Sequence, residues 1–242
     1  MPGDGDLDVA VNRDVATIDD VLAVMQAITD AVGDDDGIGW FNRLYHRTTQ
    51  NIAAALVAGR FADPDFTTRL DVVFARYYFR AISLFLRGSA DTPRAWLPLF
   101  ERRASRDVAP IQFALAGMNA HIDRDLSFAL VEVATPSGRF PAADDGARRD
   151  FLLVNDILAE TEQETKAWFE GALLRRADLV VGRVEDVVAL FSIAQAREAA
   201  WLRAEAQWAV RSSASAEAAL AITIDRTAAA LTRALLLPTR LS

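Results

Sequence analysis

The chain has 242 residues, enough to bury a sizeable core in one large domain or two small ones. Its net charge of −8 and pI of about 4.9 disfavour binding to negatively charged nucleic acid or anionic lipid, so we expect neither as a partner. The absence of cysteine excludes disulfides and thiolate chemistry, and the single lysine, Lys166, disfavours lysine-based covalent catalysis.

Residues 1–16 are acidic and contain no apolar run, which predicts a mobile N-terminal arm rather than a signal peptide. From Thr17 onward, apolar residues recur at helical spacing. Thr17 is the expected N-cap of the first helix, and Asp65 is expected to cap the helix that begins at Phe66. The predicted helices span 17–32, 40–60, 66–87, 91–103, 111–133, 149–172, 184–211 and 215–236.

These segments predict one all-α domain over residues 17–242, a multi-helix bundle of about eight helices. No alternating Val/Ile-rich segment competes with them. No stretch of eighteen apolar residues is present, so we expect no transmembrane helix. We expect a cytoplasmic location, because a chain without cysteine fits a reducing compartment.

The central helix, 111–133, places polar side chains in or beside its apolar arc. At about 100° per residue, Asp125 falls inside the arc that contains Ile111 and Met118, and His121 and Asn119 fall at its two edges. The opposite side, expected to face solvent, carries Asp123, Arg124 and Ser127. A carboxylate in a core is costly unless it is paired, so Asp125 needs a partner.

A second helix, 184–211, offers that partner. Arg197 interrupts a packing stripe of four–three spacing formed by Leu190, Ala194, Arg197, Trp201, Ala204 and Trp208. An arginine fork facing an aspartate would satisfy both groups, so the sequence predicts an ion pair between Asp125 and Arg197.

These residues form a candidate catalytic set. His121 would be the general acid or base and Asp125 its orienting group. Arg197, Asn119 and Asn155, the last on helix 149–172, complete the set. Five residues are expected to line a pocket for a largely apolar substrate: Met118, Tyr77, Trp201, Phe74 and Trp40.

Two other interpretations stay open. In the first, the same network is purely structural, and the protein is a non-catalytic binding or scaffold protein. In the second, a magnesium or iron enzyme uses His121 and Asp125, whose spacing puts two ligands on one helical face. Asn155-Asp156 with Glu164 distantly resembles the acidic motif of terpene cyclases, although Ala159 stands where that motif has Ser or Thr.

Standard cofactor and nucleophile motifs are absent: the chain has no P-loop, no GxGxxG and no nucleophile elbow. We therefore expect a cofactor-independent enzyme that performs an acid/base cyclisation, isomerisation or elimination on a small apolar molecule. The sequence does not determine the oligomeric state, and a homodimer is one alternative.

Five segments of the chain resemble a known bacterial family, DUF5995: FNRLYHRTT (41–49), LDVVFARYYFRA (70–81), QFALAGMNAHIDRDL (112–126), DFLLVNDILA (150–159) and AREAAWLRA (196–204). The resemblance covers roughly residues 38–210 and is most specific in the GMNAHI-x-RDL block. It implies an all-helical domain and suggests a setting in natural-product metabolism. It assigns no catalytic residue.

Overall fold

The computed structural model describes residues 3–174 and 192–238. All regular elements in these ranges are helical, which confirms the predicted all-α domain. They are α1 (Asp4–Val11), α2 (Ile18–Ala31), α3 (Gly37–Val57), α4 (Pro64–Leu86), α5 (Leu97–Arg102), α6 (Pro110–Asn119), a π-helix (Ala120–Leu126), α7 (Ser127–Ala134), a 3₁₀ turn (Thr135–Ser137), α8 (Gly146–Leu174), α9 (Ile193–Val210) and α10 (Ala214–Leu235).

Of the two predicted helix N-caps, one is confirmed and the other is wrong. Thr17 caps α2 as expected: its hydroxyl accepts from the Asp20 N–H, and the Asp20 carboxylate accepts from the Thr17 N–H. The cap of α4 is Asp63, not Asp65, and its side chain accepts from the Phe66 N–H. Pro64 occupies the first turn, where its missing N–H costs nothing, so the helix begins before the predicted residue.

The N-terminal segment is a packed helix, which corrects the predicted mobile arm. Leu7, Ala10 and Val11 on α1 are buried, and Val15 in the following loop is buried as well. Helix α1 packs against α2 and α4. The three apolar residues are too few to show a clear helical period, but they share one face of a short helix.

The predicted central helix is a continuous helical rod that consists of α6, the π-helix and α7. The rod is covered on several sides: α3 and α10 pack on α6, while α4, α9 and α10 pack on the π-helix. The face expected to be solvated is therefore covered. Asp123 and Ser127 are buried, and Asp123 Oδ1 accepts from Arg203 Nη1 of α9 at 2.6 Å, so the predicted outward orientation is wrong.

Helices α3 and α6 approach closely at Gly117. A Cβ atom on this glycine would lie 2.3 Å from Cγ of Phe41, far inside van der Waals contact. The missing side chain lets the Phe41 ring lie against the rod, where it also contacts the His121 ring edge-on. The rod and α3 can thus pack closely beside His121.

The C-terminal part of the domain agrees with the predicted helices where the structure describes it. Helix α9 covers 193–210 of the predicted 184–211 segment. Residues 184–191, with Leu190 of the predicted stripe, lie outside the described residues. None of the described helices is both long and apolar enough to span a membrane.

Candidate functional site

The imidazole of His121 lies at the centre of the domain, on the π-helix. It is 1% exposed. The ring of Phe74 stacks on it with a centroid distance of 3.5 Å and an interplanar angle of 5°. Tyr45 contacts the ring edge-on at 4.7 Å. These aromatic contacts leave the imidazole little freedom to rotate.

Asp125, one helical turn further on, binds His121 directly. Its Oδ2 lies 3.1 Å from His121 Nδ1 and accepts from Trp96 Nε1 at 2.9 Å, while Oδ1 accepts from Arg124 Nη1. Burial alone would raise the pKa of Asp125, but Arg124, His121 and Trp96 outweigh it, so the pKa lies below its ordinary value. Asp125 is therefore an anion at neutral pH.

The charge of Asp125 sets the tautomer of His121. Burial lowers the pKa of His121 below its ordinary value, against the hydrogen bond and charge of Asp125, so the ring is neutral at pH 7. An ionised carboxylate only accepts hydrogen bonds, so Nδ1 must carry the proton. The lone pair of Nε2 is left free, and this nitrogen has no hydrogen-bond partner among the described residues.

The partner of Asp125 is Arg124, not Arg197 as predicted. Arg124 also donates from Nε to Asp225 Oδ1 of α10 at 3.1 Å, and Asp225 accepts from the backbone N–H groups of Arg94 and Ala95. In the π-helix, hydrogen bonds join residues five apart, so the 100° projection that set Arg124 on the opposite side does not hold there. The network ties α10, the loop before Trp96 and the π-helix together.

A small cavity of about 60 Å³ lies beside His121, between α3, α4, the rod, α8 and α9. At liquid density this volume holds about two water molecules. Its wall is mainly apolar and contains Ile52, Phe66, Leu70, Phe74, Met118, Ile122, Leu126, Phe151, Val154 and Leu158. Phe74 and Met118, two of the five residues expected to line a substrate pocket, lie on this wall.

Three polar groups on the cavity wall have an atom without a hydrogen-bond partner among the described residues: Tyr45 Oη, Asp71 Oδ2 and His121 Nε2. All three side chains are more than nine-tenths buried. Buried polar atoms are usually hydrogen-bonded, so these three atoms are available to bind a ligand.

Burial favours the protonated forms of Asp71 and Tyr45. Burial raises the pKa of Asp71 to about 7, so a substantial fraction of this carboxyl is protonated near neutrality. Burial also raises the pKa of the Tyr45 hydroxyl well above its ordinary value, and the charges of Asp71 and Asp125 add to the effect. Both groups can donate a proton or a hydrogen bond into the cavity.

Arg197 lies on the same cavity wall and is 5% exposed. It donates from Nε to Asn155 Oδ1 at 2.8 Å and from Nη2 to the Phe151 carbonyl at 2.6 Å. Burial, reinforced by the charge of Arg148, lowers the pKa of Arg197 to about 9, which still leaves the guanidinium charged at neutral pH. Arg197 and Asn155, two members of the predicted set, are therefore in direct contact, which the sequence did not predict.

Four other predicted residues point elsewhere. Asn119 donates to the Ala228 carbonyl and to Thr232 on α10, and Tyr77 donates to Glu132. Trp40 and Trp201 pack against Phe169 and Phe151, respectively. None of these four lines the cavity, so the structure does not bring them together with His121 and Arg197 there.

A larger recess of about 880 Å³ adjoins the cavity. Thr48, Met118 and Leu158 line both spaces, so they form the wall between them. Among the described residues, the recess is lined mainly by apolar side chains, including Leu44, Ile111, Leu115, Phe169 and Ile193. Such a surface suits the hydrocarbon part of a ligand.

The acidic residues considered for a metal site do not converge. Glu164 accepts from Arg47 and Asn51 on α3, and Asn155 is bound by Arg197. In the part of the chain that the structure describes, no group of three His, Cys, Asp or Glu side chains has metal-binding geometry. The predicted metal alternative therefore finds no ligand set there.

Sequence reasoning missed Asp71, Tyr45, Trp96 and Arg124. For Asp71 a sequence signal existed, because it lies three residues before Phe74, a residue expected to line the pocket, and helical spacing puts the two on one face. The importance of Trp96 and Arg124 depends on tertiary contacts and has no local signal.

A family model described as a family of unknown function, DUF5995, matches residues 18–238 of the chain. Neither a curated protein nor a solved structure matches it.

Proposed function

We propose that this chain, which belongs to the DUF5995 family, is a cofactor-independent enzyme that moves protons on a small, largely apolar molecule. The observation that carries the proposal is the buried, neutral His121, which lines the cavity, whose Nδ1–H is fixed by Asp125 and whose Nε2 has no partner among the described residues. A base needs a lone pair, a fixed orientation and a group that stabilises the protonated form. His121 and Asp125 supply all three.

Asp71 supplies the complementary acid. It lies on the same cavity wall, and its pKa of about 7 keeps a proton available. Two titratable groups whose surroundings push their pKa values in opposite directions are a pattern of acid/base active sites. The pKa of His121 is lowered and that of Asp71 is raised.

The reaction we propose is a proton transfer within one substrate. His121 Nε2 takes a proton from carbon, and the electron pair of the broken C–H bond moves into the substrate. The Asp71 carboxyl donates its proton at a second atom of the same molecule. The imidazolium is stabilised by the Asp125 carboxylate until its proton returns to Asp71 through solvent, which restores both groups for the next turnover. Isomerisation, elimination and cyclisation all contain this step, and natural-product metabolism is the setting that we propose for it.

Exchange of substrate hydrogen for deuterium tests the proposal before the reaction itself is identified. The protein is incubated in D₂O with a pool of small unsaturated and carbonyl-containing metabolites, and mass spectrometry reports deuterium uptake. We expect uptake into at least one compound with the wild type, and a rate about 10²–10⁴-fold lower with His121→Ala.

His46→Ala is the matched control, because it removes the only other histidine, which lies away from the cavity. It should exchange at the wild-type rate. Uptake with His121→Ala at the wild-type rate, or no uptake into any compound that the wild type binds, would contradict the proposal.

A further inference from the structure

Arg197 is a buried cation without a counter-charge in the described part of the chain. No described carboxylate lies within 4 Å of its guanidinium, and its hydrogen bonds to described residues go to a neutral amide and a backbone carbonyl. Its face also packs on the Phe151 ring, with the guanidinium carbon 4.2 Å from the ring centroid. A cation in this position is costly unless an anion joins it.

The two carboxyl groups on the same cavity wall do not fill this role. Asp150 is committed to α4, because its Oδ1 and Oδ2 accept from the backbone N–H groups of Ala62 and Asp63. The pKa of Asp71 is raised by burial and shows no lowering by a nearby cation. The charge that affects the pKa of Arg197 is another cation, Arg148, which increases the need for an anion.

We propose that Arg197 binds a carboxylate of the ligand, so that the substrate class is a small carboxylic acid with an apolar body. The planar guanidinium fork matches the two oxygens of a carboxylate. A carboxylate has three heavy atoms, which suits a cavity of about 60 Å³. The rest of the molecule would lie beyond Met118, along the apolar recess.

This inference deepens the proposed function and rests on it in one respect: the anchored acid would be the molecule that His121 and Asp71 act on. Arg197 shares the cavity wall with these two groups, but it contributes a fixed charge rather than a proton to transfer. It is therefore a binding residue, and its contribution can be measured without turnover.

Straight-chain carboxylates from acetate to octanoate, each with its primary amide as the neutral isostere, are the probes. Binding at pH 7 and constant ionic strength is measured by ligand-observed NMR titration. We expect at least one carboxylate to bind the wild type about tenfold or more tightly than its amide, since a charge-assisted bidentate contact is lost with the amide. Arg197→Gln should remove this preference.

Arg148→Gln is the matched control: it removes a neighbouring cation that is bonded to Glu198 and does not line the cavity. It should keep the preference. His121→Ala should also keep this preference while losing deuterium exchange. The two readouts therefore separate a failure of carboxylate binding by Arg197 from a failure of the proposed proton transfer.

Equal affinity of the wild type for every carboxylate and its amide would overturn the inference, and this measurement needs no variant. So would a carboxylate preference that survives in Arg197→Gln. If that variant does not fold, Arg197→Lys provides the second comparison, because it keeps the charge but loses the fork, and we expect a weakened preference. Tighter binding of inorganic phosphate than of any carboxylate would also overturn it.

Discussion

The two nitrogens of His121 have opposite surroundings. Nδ1 faces the Asp125 carboxylate at 3.1 Å, whereas Nε2 has no hydrogen-bond partner among the described residues. Since Asp125 also accepts from Trp96 and Arg124, its charge is spread over three donors and does not need the imidazole to become protonated. The ring therefore stays neutral and oriented, as a general base requires.

A double-mutant cycle distinguishes the observed pair from the predicted one. Arg124→Gln and Asp125→Asn should couple by about 1–3 kcal/mol in the free energy of unfolding, because they share a buried contact. Asp125→Asn and Arg197→Gln should instead be additive within about 0.5 kcal/mol. Urea unfolding of the single and double variants measures both. Strong coupling between residues 125 and 197 would instead support the ion pair that the sequence predicted.

Asp71 makes stability depend on pH. The folded chain keeps a proton that an unfolded chain releases between pH 3.8 and about 7, so this carboxyl lowers the free energy of unfolding as the pH rises through that window. Asp71→Asn removes the effect. The free energy of unfolding of this variant, relative to that of the wild type, should increase by roughly 3–4 kcal/mol from pH 4 to pH 8, at about 1.4 kcal/mol per pKa unit. Urea unfolding across this pH range measures the gain, and a pH-independent difference would show that the carboxyl is not perturbed.

At the scale of the helices, the sequence patterns predicted most of the fold. The helical period located the segments because each helix buries one face, and Thr17 located a helix start because capping is a local interaction. The π-helix could not be predicted in this way. It changes the angular position of Arg124 and Asp125 over seven residues, and three helices pack around it.

Only part of the candidate site was predicted, because local spacing reveals contacts within one helix but not contacts between helices. His121 and Asp125 are one turn apart on one helix, so local spacing was sufficient to pair them. Asp71 and Tyr45 reach the same cavity from α4 and α3, and that convergence depends on how the helices cross. Arg197 was correctly expected to be buried, but its partner was wrong, since sequence does not give the distance between two helices.

The contact between α3 and α6 can be tested at Gly117. Gly117→Ala should destabilise the domain by about 1–3 kcal/mol, because the new methyl group would overlap the Phe41 ring. The control is Gly5→Ala in α1, where nothing lies within 4 Å of the added atom. That change should be neutral or stabilising by up to about 1 kcal/mol, from helix propensity. Thermal unfolding compares the two, and equal effects would contradict the close approach.

At the scale of the whole molecule, one core runs from α1 to the end of α10 and encloses the rod that carries the site. The N-terminal helix belongs to this core. Leu7→Ala should lower the free energy of unfolding by about 2–5 kcal/mol, because its side chain is fully buried. Val9→Ala on the same helix is the control, since Val9 is 66% exposed and should change stability by less than about 0.5 kcal/mol. Urea unfolding compares the two variants. If the N-terminal segment were a mobile arm, neither change would alter the free energy of unfolding.

The cavity beside His121 is also a property of the whole molecule. It depends on side chains from five packed elements, none of which reveals a cavity by itself. Its polar wall and the apolar recess beyond it define the ligand we propose: an anionic end near Arg197, a reacting atom near His121 and a hydrocarbon part outside.

The protonation of His121 tests the central claim most directly. Nitrogen NMR of ¹⁵N-histidine-labelled protein resolves the two ring nitrogens, and the His46→Ala variant leaves His121 as the single histidine. At pH 7 we expect a neutral ring with the proton on Nδ1 and a free lone pair on Nε2. A proton on Nε2, or a doubly protonated ring at pH 7, would contradict the assignment of His121 as the base.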